Sequence, residues 1–275
     1  MTVTEMNAKL KNLIHILKEM ESAVLAYSGG VDSTFLLKAM QLSGIKALAV
    51  TAVSGIMPRC EVLSAKEIAK EIGVKHMIIE THELSNKRFV SNTPERCFVC
   101  KDIRFRKLKK LAMSGGYRFV IDGSNIDDLD DYRPGRKAVI KHGVSSPLIE
   151  AGISKRDVRR FSKKLGLSTW DKPSSPCLSS RFPYGRRITK EALARVEKAE
   201  DFLRSLGFRE IRVRDHGSIA RIEVGEKEFR SLLIPQKRKI ISEALRSLGY
   251  EFISLDLDGY KSGSMNRILK DNKGL

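Results

Sequence analysis

No run of apolar residues in this 275-residue chain approaches the roughly 18 that a membrane-spanning helix needs. Residues 1–21 carry acidic and basic side chains on a helical apolar pattern, which differs from the apolar core of a secretory leader. We therefore expect a cytoplasmic protein with no membrane partner.

Cysteine is scarce, with only four residues in the chain. In a cytoplasmic protein of this length, so few thiols argue against a disulfide-based fold and favour metal binding or catalysis. The sequence also lacks internal repeats and low-complexity tracts. Its 41% hydrophobic and 31% charged residues are typical of a globular protein, with one large domain or two smaller ones.

Acidic residues are too few to balance the basic ones, and the net charge is +18. Residues 1–150 carry a net +6 and residues 151–275 a net +12. This imbalance suits polyanionic partners such as nucleotides, CoA-like phosphates or nucleic acid. A charge-rich solvated surface is the alternative explanation.

The most informative segment is Ser28–Ser33, which follows the apolar residues 23–27 and precedes a helical pattern. It lacks the spacing of a Walker A loop. Adjacent glycines let the backbone turn sharply, and the amides at the start of a helix bind phosphate oxygens. Asp32 is a candidate magnesium ligand. The predicted residues of this nucleotide-phosphate site are Ser28, Gly29, Gly30, Asp32, Ser33 and Asp122.

The first part of the chain alternates strands and helices, which predicts a doubly wound parallel sheet. The predicted strands cover residues 23–27, 47–53, 75–80 and 117–121, and the predicted helices cover 60–72 and 100–113. Ligands of such sheets bind beyond the carboxyl ends of the strands. Residues 122–128 follow the last of these strands, where Asp127 and Asp128 would either assist magnesium or cap a helix.

Three regions are expected along the chain. Residues 1–170 form the nucleotide domain, 171–185 a loop rich in proline and serine, and 186–275 a smaller α+β domain. In the last region the patterns predict helices at 190–206 and 235–248 and strands at 210–214, 219–224 and 252–257.

After the segment Ser28–Ser33, the cysteines are the second informative feature of the sequence. Cys97 and Cys100 form a Cys-x-x-Cys turn just before a predicted basic helix, and Cys177 lies in the proline-rich loop. Three cysteines can hold a 4Fe–4S cluster with one iron open, whereas zinc would require a fourth ligand. A redox dithiol is a further alternative. Cys60 is a candidate for that fourth ligand, but its position on an amphipathic helix favours a buried structural thiol.

Five segments together resemble the LarE family, the ATP-dependent sulfur transferases of nickel-pincer nucleotide synthesis, which share the PP-loop of the ATP pyrophosphatase superfamily. The segments are the loop at 28–33, Asp-Gly-Ser-Asn-x-Asp-Asp at 122–128, Arg-Cys-x-x-Cys-Lys at 96–101, Ser-Pro-Cys-Leu-Ser-Ser-Arg at 175–181, and the ending at 255–266. The resemblance extends from Tyr27 to Asn266.

The resemblance implies adenylation of a carboxylate of pyridinium-3,5-biscarboxylic acid mononucleotide, release of pyrophosphate and insertion of sulfur. Cys177 matches the sulfur-bearing cysteine of the family. In single-cysteine members it is sacrificed and becomes dehydroalanine. The three-cysteine pattern favours a 4Fe–4S cluster on Cys97, Cys100 and Cys177, fed by a sulfide or persulfide donor.

Other roles follow from the same resemblance. Arg181 is expected to activate the Cys177 thiolate or to contact the substrate phosphate. Arg212 and Arg214 alternate along a predicted strand and are expected to contact the same phosphate, with a plain surface role as the alternative. Glu200 and Glu223 would bind a divalent ion in a homo-oligomer, or would simply be solvated acids. The alternative function is an iron–sulfur-dependent tRNA 2-thiolation enzyme, which the basic charge would suit, although no RNA-binding appendage is recognisable.

Overall fold

A computed structural model describes residues 3–129, 134–261 and 264. Its helices are α1 Val3–Met20, α2 Val31–Ser43, α3 Arg59–Ile72, α4 Lys87–Val90, α5 Arg96–Ser114, α6 Gly135–Lys141, α7 Pro147–Glu150, α8 Lys155–Lys164, α9 Lys190–Ser205, α10 Phe229–Leu232 and α11 Pro235–Ser247. Its strands are β1 Ser22–Ala26, β2 Lys46–Val53, β3 His76–Glu80, β4 Phe119–Ile121, β5 Ile211–Asp215, β6 Ile219–Val224 and β7 Phe252–Leu255. Short 3-10 turns lie at Glu83–Ser85, Ile126–Leu129, Leu178–Arg181 and Glu226–Glu228.

The chain divides into two compact units. The first contains Met1–Asn86 and Pro94–Ser175, and the second contains Lys87–Thr93 and Pro176–Leu275. Within the described residues, every helix is too short or too polar to cross a membrane.

The first unit is built on a parallel sheet with the strand order β3-β2-β1-β4. After Ser22, strand β1 is apolar, as expected for a strand buried on both faces. Leu25 joins the core formed with α1, α2, α3 and α8, whereas Val24 joins the core formed with α5 and α6. The helices therefore cover both faces, which confirms the predicted doubly wound fold.

The order of the strands determines where the predicted nucleotide site lies in the first unit. The chain passes from β1 outward through β2 to β3 and then returns across the sheet to β4 on the other side of β1. Such a reversal opens a crevice beyond the carboxyl ends of β1 and β4, the two strands between which the order reverses. The loops after β1 and after β4 border this crevice.

The second unit contains a small mixed sheet in the order β5-β6-β7, with β5 and β6 antiparallel and β6 and β7 parallel. Helices α9 and α11 pack on it through Leu203 and Leu245, which are fully buried beside Val213 and Ile222. This confirms the predicted smaller α+β region. Met265 and Asn266, which end the motif at 255–266, lie outside the described residues.

Candidate nucleotide and sulfur-transfer site

The segment Ser28–Ser33 connects β1 to α2 at the carboxyl edge of the parallel sheet. Gly30 is the N-terminal capping residue of α2, and no side chain in the described chain caps that end. The amides of the first helical turn are therefore available to an anion, and the helix dipole favours negative charge there.

Serine hydroxyls shape this loop from within. The Ser28 and Ser33 Oγ atoms are 3.1 Å apart, and Ser28 Oγ also accepts a hydrogen bond from the Gly30 amide at 3.3 Å. Ser33 Oγ donates to the Gly30 carbonyl at 3.2 Å. The loop conformation is therefore held by its own side chains.

Two glycines permit close approaches that a Cβ atom would hinder. Gly29 has φ +71°, and a Cβ atom there would lie 2.8 Å from the Ala65 Cβ atom on α3. A Cβ atom on Gly123, in the loop after β4, would lie 3.0 Å from the Ser33 amide nitrogen. The two loops at the crevice therefore approach each other backbone to backbone.

Asp32 lies in the first turn of α2 and faces the crevice. Its Oδ1 atom accepts a hydrogen bond from Asn125 Nδ2 at 3.2 Å. Burial raises the pKa of Asp32, Lys155 opposes that shift, and nearby Asp128 reinforces it. A divalent cation would relieve the crowding of these two carboxylates, so the donor set fits magnesium.

Asp122 follows β4 and is almost fully buried. Its carboxylate accepts hydrogen bonds from the Ser124 hydroxyl at 2.7 Å and the Ser146 hydroxyl at 2.8 Å. The Lys101 ammonium lies 3.4 Å away. These contacts fix the side chain and draw Lys101 of α5 towards the crevice.

The crevice is a cavity of about 280 Å³, which we call the nucleotide cavity. Its polar lining includes five of the six predicted ATP-binding residues, Gly29 being the exception. Val50 and Ala52 of β2 supply apolar surface, and Lys101 and Arg104 supply positive charge. A separate cavity of about 630 Å³ in the second unit contains none of the predicted site residues.

Cys97 and Cys100 do not precede the basic helix as expected. Helix α5 begins at Arg96, so both thiols lie within its first five residues. Residues three apart on a helix share one face, so both sulfurs can reach a single centre. Cys97 is exposed, and Cys100 is partly buried.

The Cys100 thiol donates a hydrogen bond to the buried Glu83 carboxylate at 3.6 Å. Arg104, one turn further along α5, donates from Nε to the same oxygen at 2.6 Å. Burial would raise the pKa of Glu83, but the charge and hydrogen bonding of Arg104 bring it below its usual value. Glu83 therefore links a predicted cluster ligand to a residue of the nucleotide cavity.

Cys177 caps the 3-10 turn Leu178–Arg181 and is partly buried. Its carbonyl accepts hydrogen bonds from the Ser180 hydroxyl at 2.9 Å and from Arg181 Nη1 at 3.2 Å. Arg181 Nη1 also donates to the Pro176 carbonyl at 2.7 Å. These bonds fix the backbone on both sides of the cysteine.

Glu200 is fully buried, so the expectation of a solvated acid is wrong. It accepts hydrogen bonds from Arg181 at 2.8 and 3.0 Å and from the Val213 amide at 3.1 Å. Burial would raise the pKa of Glu200, but the guanidinium of Arg181 lowers it. The carboxylate therefore serves as the counter-ion of buried arginine.

Glu223 is likewise fully buried rather than solvated. Arg214 donates to it at 2.6 Å and also to the Ser180 carbonyl at 2.9 Å. Arg212, two residues earlier on β5, lies 4.6 Å over the Tyr260 ring and is nearly buried. Within the described ranges, no group of three or more His, Cys, Asp or Glu side chains is arranged to hold a metal ion.

Cys60 is exposed, so its predicted role as a buried structural thiol is wrong. It lies in the first turn of α3, where Ala65, Ile68, Ala69 and Ile72 form the buried face. The amphipathic pattern was real, but the cysteine lies outside the buried stripe.

Several residues of the site carried no predicted role. Lys101 and Arg104 lie four and seven residues after Cys97, at a helical spacing that would have placed them on one side of α5. Lys172 forms an ion pair with Glu61 at 2.7 Å and donates to the Gly29 carbonyl at 3.2 Å. No sequence signal indicates that contact, because more than a hundred residues separate the two partners in the chain.

Comparison with known proteins adds independent information. A family model described as queuosine biosynthesis protein QueC matches residues 22–104. An uncharacterised protein of Synechocystis sp. is 43% identical over 96% of this chain and 99% of its own length. The pyridinium-3,5-bisthiocarboxylic acid mononucleotide synthase of Lactiplantibacillus plantarum is 39% identical over 95% of both chains. The tRNA-specific 2-thiouridylase MnmA of Rickettsia felis is 25% identical over 59% of this chain and 55% of its own.

Proposed function

The chain belongs to the LarE family of ATP-dependent sulfur-transferring enzymes, and we propose that it converts pyridinium-3,5-biscarboxylic acid mononucleotide to a thiocarboxylate. The supporting observation is the nucleotide cavity, where the loop Ser28–Ser33, Asp122 and Lys101 surround space at the switch point of the sheet. Similarity to the L. plantarum synthase over nearly the whole chain supports the choice of acceptor.

In this proposal the first step is adenylation. Ser28, Gly29, Gly30 and Ser33 bind the phosphates, and Asp32 holds magnesium on them. These donors stabilise the negative charge that develops on the departing pyrophosphate. Asp122 keeps its place through Ser124 and Ser146 and orients Lys101 towards the reacting groups.

Sulfur transfer follows from the acyl-adenylate, whose AMP is a good leaving group. Cys97 and Cys100, on one face of α5, and Cys177 would together hold a 4Fe–4S cluster through thiolate ligands; cluster binding would have to bring the three thiols together, since no such group is assembled within the described residues. When bound, the cluster supplies an open iron that carries a replaceable sulfide. Without it, the Cys177 thiolate attacks the acyl carbon and displaces AMP. Loss of the Cys177 α-proton then breaks the Cβ–Sγ bond, which leaves a thiocarboxylate on the substrate and dehydroalanine in the chain, so that each chain acts once.

Arg181, Arg212 and Arg214 are the proposed contacts of the substrate phosphate. Arg212 and Arg214 alternate along β5; Arg214 donates to the carbonyl of Ser180, and Arg212 interacts electrostatically with the Glu200 carboxylate that pairs with Arg181. Guanidinium donors recognise phosphate in bidentate geometry. A sulfide or persulfide donor, a homo-oligomeric assembly and a cytoplasmic location complete the proposal.

The decisive experiment measures pyrophosphate release and product mass with ATP, magnesium and the acceptor mononucleotide. Release that requires the acceptor and a product heavier by 16 Da per exchanged oxygen, the sulfur–oxygen mass difference, would support the function. Dependence on tRNA instead would favour 2-thiolation of tRNA, for which the similarity is weaker and partial. No release with either acceptor contradicts both functions.

The cluster needs its own test. We expect about four irons per chain after anaerobic purification, the content of a 4Fe–4S centre, and loss of iron in Cys97→Ala. Cys60→Ser is the matched control, because Cys60 is exposed and outside the predicted ligand set. Iron-free wild type, with Cys177 converted to dehydroalanine after turnover, would establish the single-use mechanism instead.

A further inference from the structure

A second cavity of about 270 Å³ adjoins the nucleotide cavity in the first unit. Three residues line both cavities, namely Lys101, Ser124 and Asp128. The two spaces therefore meet at these side chains. The described mechanism uses the first space for ATP and leaves the second without an occupant.

The lining of the second cavity combines three kinds of surface. Val139, Val144 and Ile149 are apolar, Arg136 is an exposed cation, and Glu150 is an exposed carboxylate. With the shared Lys101 and Asp128, the cavity presents two positive and two negative side chains around an apolar wall. Such a site suits a flat ring that itself carries charges of both signs.

We propose that this second cavity binds the ring end of the acceptor, a pyridinium bearing two carboxylates. The inference rests on the proposed function. The apolar wall packs on the ring face, Asp128 and Glu150 compensate the pyridinium charge, and Lys101 and Arg136 contact the carboxylates. Lys101, at the junction of the cavities, contacts the carboxylate that reacts.

The step at the junction is a simple displacement. A carboxylate oxygen of the acceptor attacks the α-phosphorus of ATP and forms a new P–O bond. The bond from that phosphorus to the bridging oxygen breaks, and pyrophosphate leaves with the electron pair. Lys101 lowers the repulsion between the two anions as they approach, and no proton, oxidant or reductant is required.

Gly135 offers a way to displace Lys101 without removing its charge. A Cβ atom on Gly135 would lie 2.9 Å from Lys101 Cδ and 3.3 Å from Cε. The lysine stem is flexible, so Gly135→Ala should fold and move the ammonium group. Its backbone φ is outside the left-handed region, so alanine adds no backbone strain.

The test is steady-state pyrophosphate release with separate titrations of ATP and pyridinium-3,5-biscarboxylic acid mononucleotide. The variants are Arg136→Gln, Lys101→Met and Gly135→Ala. The matched controls are Arg156→Gln and Lys110→Met, both exposed and outside the two cavities. Circular dichroism and thermal unfolding establish that each variant is folded.

We expect Arg136→Gln to raise KM for the acceptor about tenfold, a typical loss for one charged contact, with KM for ATP unchanged. Gly135→Ala should lower kcat with ATP binding intact, and Lys101→Met should lower kcat further. Folded variants that match their controls would overturn the assignment of the second cavity. An inactive wild type would instead contradict the proposed function, so the two failures are distinguishable.

Discussion

Asn125 donates from Nδ2 to Oδ1 of Asp32 over 3.2 Å and so joins the loop after β4 to the first turn of α2. The amide thus holds one carboxylate oxygen of a side chain that lines the nucleotide cavity. Such a residue is constrained in position while still able to bind a cation.

Asp32→Asn should therefore impair magnesium-dependent chemistry rather than folding. We expect pyrophosphate release to fall on the order of 100-fold, because the metal loses an anionic ligand beside the phosphates. Asp127→Asn is the control, since Asp127 is exposed and accepts a hydrogen bond from the Lys155 amide outside the cavity. An unchanged magnesium titration in Asp32→Asn would contradict the assignment.

Gly29→Ala should lose both stability and activity. The new methyl group would meet Ala65 at 2.8 Å, in addition to the cost of alanine at φ +71°. Gly73 has φ +80° with nothing within 4 Å of its Cβ position, so Gly73→Ala isolates the backbone cost, about 1 kcal/mol. Denaturant unfolding should show a larger loss of unfolding free energy for Gly29→Ala than for Gly73→Ala. Equal losses would show that α3 shifts to accommodate the methyl group without cost.

Asp102 should make stability depend on pH in acid. Burial would raise the pKa of Asp102, but hydrogen bonds from Lys141 and His142 lower it to about 2. Because the pKa of Asp102 is lower in the folded protein than in the unfolded protein, the ionised carboxylate stabilises the fold at pH values above the unfolded pKa. This contribution is lost as the pH falls from about 4 to about 2.

Asp102→Asn provides the measurement for this effect. We expect the wild type to exceed the variant in unfolding free energy by about 2 kcal/mol at pH 6. The difference should shrink as the pH falls through that window. A difference that is constant between pH 6 and pH 3 would show that ionisation of Asp102 does not stabilise the fold.

Glu200→Gln should be strongly destabilising, because it leaves the fully buried Arg181 without its counter-ion. Removing one partner of a buried ion pair costs about 3–5 kcal/mol. Asp201→Asn, next along α9, removes an exposed pair with Arg204 and should cost less than about 1 kcal/mol. Chemical denaturation compares the two, and similar losses would contradict the structural importance of the buried pair.

Local patterns predicted the elements that depend on neighbouring residues. Apolar runs ending at glycine located β1 and the loop Ser28–Ser33, and the helical period located α9 to within one residue. The start of α5 was misplaced because Glu95 provides no side-chain cap, so no sequence signal announces the helix. Ser154 and Asp157 form a capping box that does announce α8 and could have been used.

Contacts between distant segments could not be predicted in the same way. Nothing in the sequence near Glu200 and Glu223 distinguishes them from solvated acids. Their partners Arg181 and Arg214 come into contact with them only in the folded chain. The contact between the Glu83 carboxylate and Cys100 likewise joins residues that are distant in the sequence. Burial of charge depends on a partner far along the chain, whereas hydrophobic periodicity depends on residues a few positions away.

Strand β1 takes part in both cores of the first unit, with Val24 on one face and Leu25 on the other. Opening it would expose both layers at once, so its amides should exchange with solvent only through global unfolding. The loop Ser28–Ser33 directly follows this strand, and hydrogen bonds from its own serine side chains hold its conformation. The conformational entropy of this loop is therefore lost during folding and not when the ligand binds. ATP thus binds to a phosphate site that is already formed.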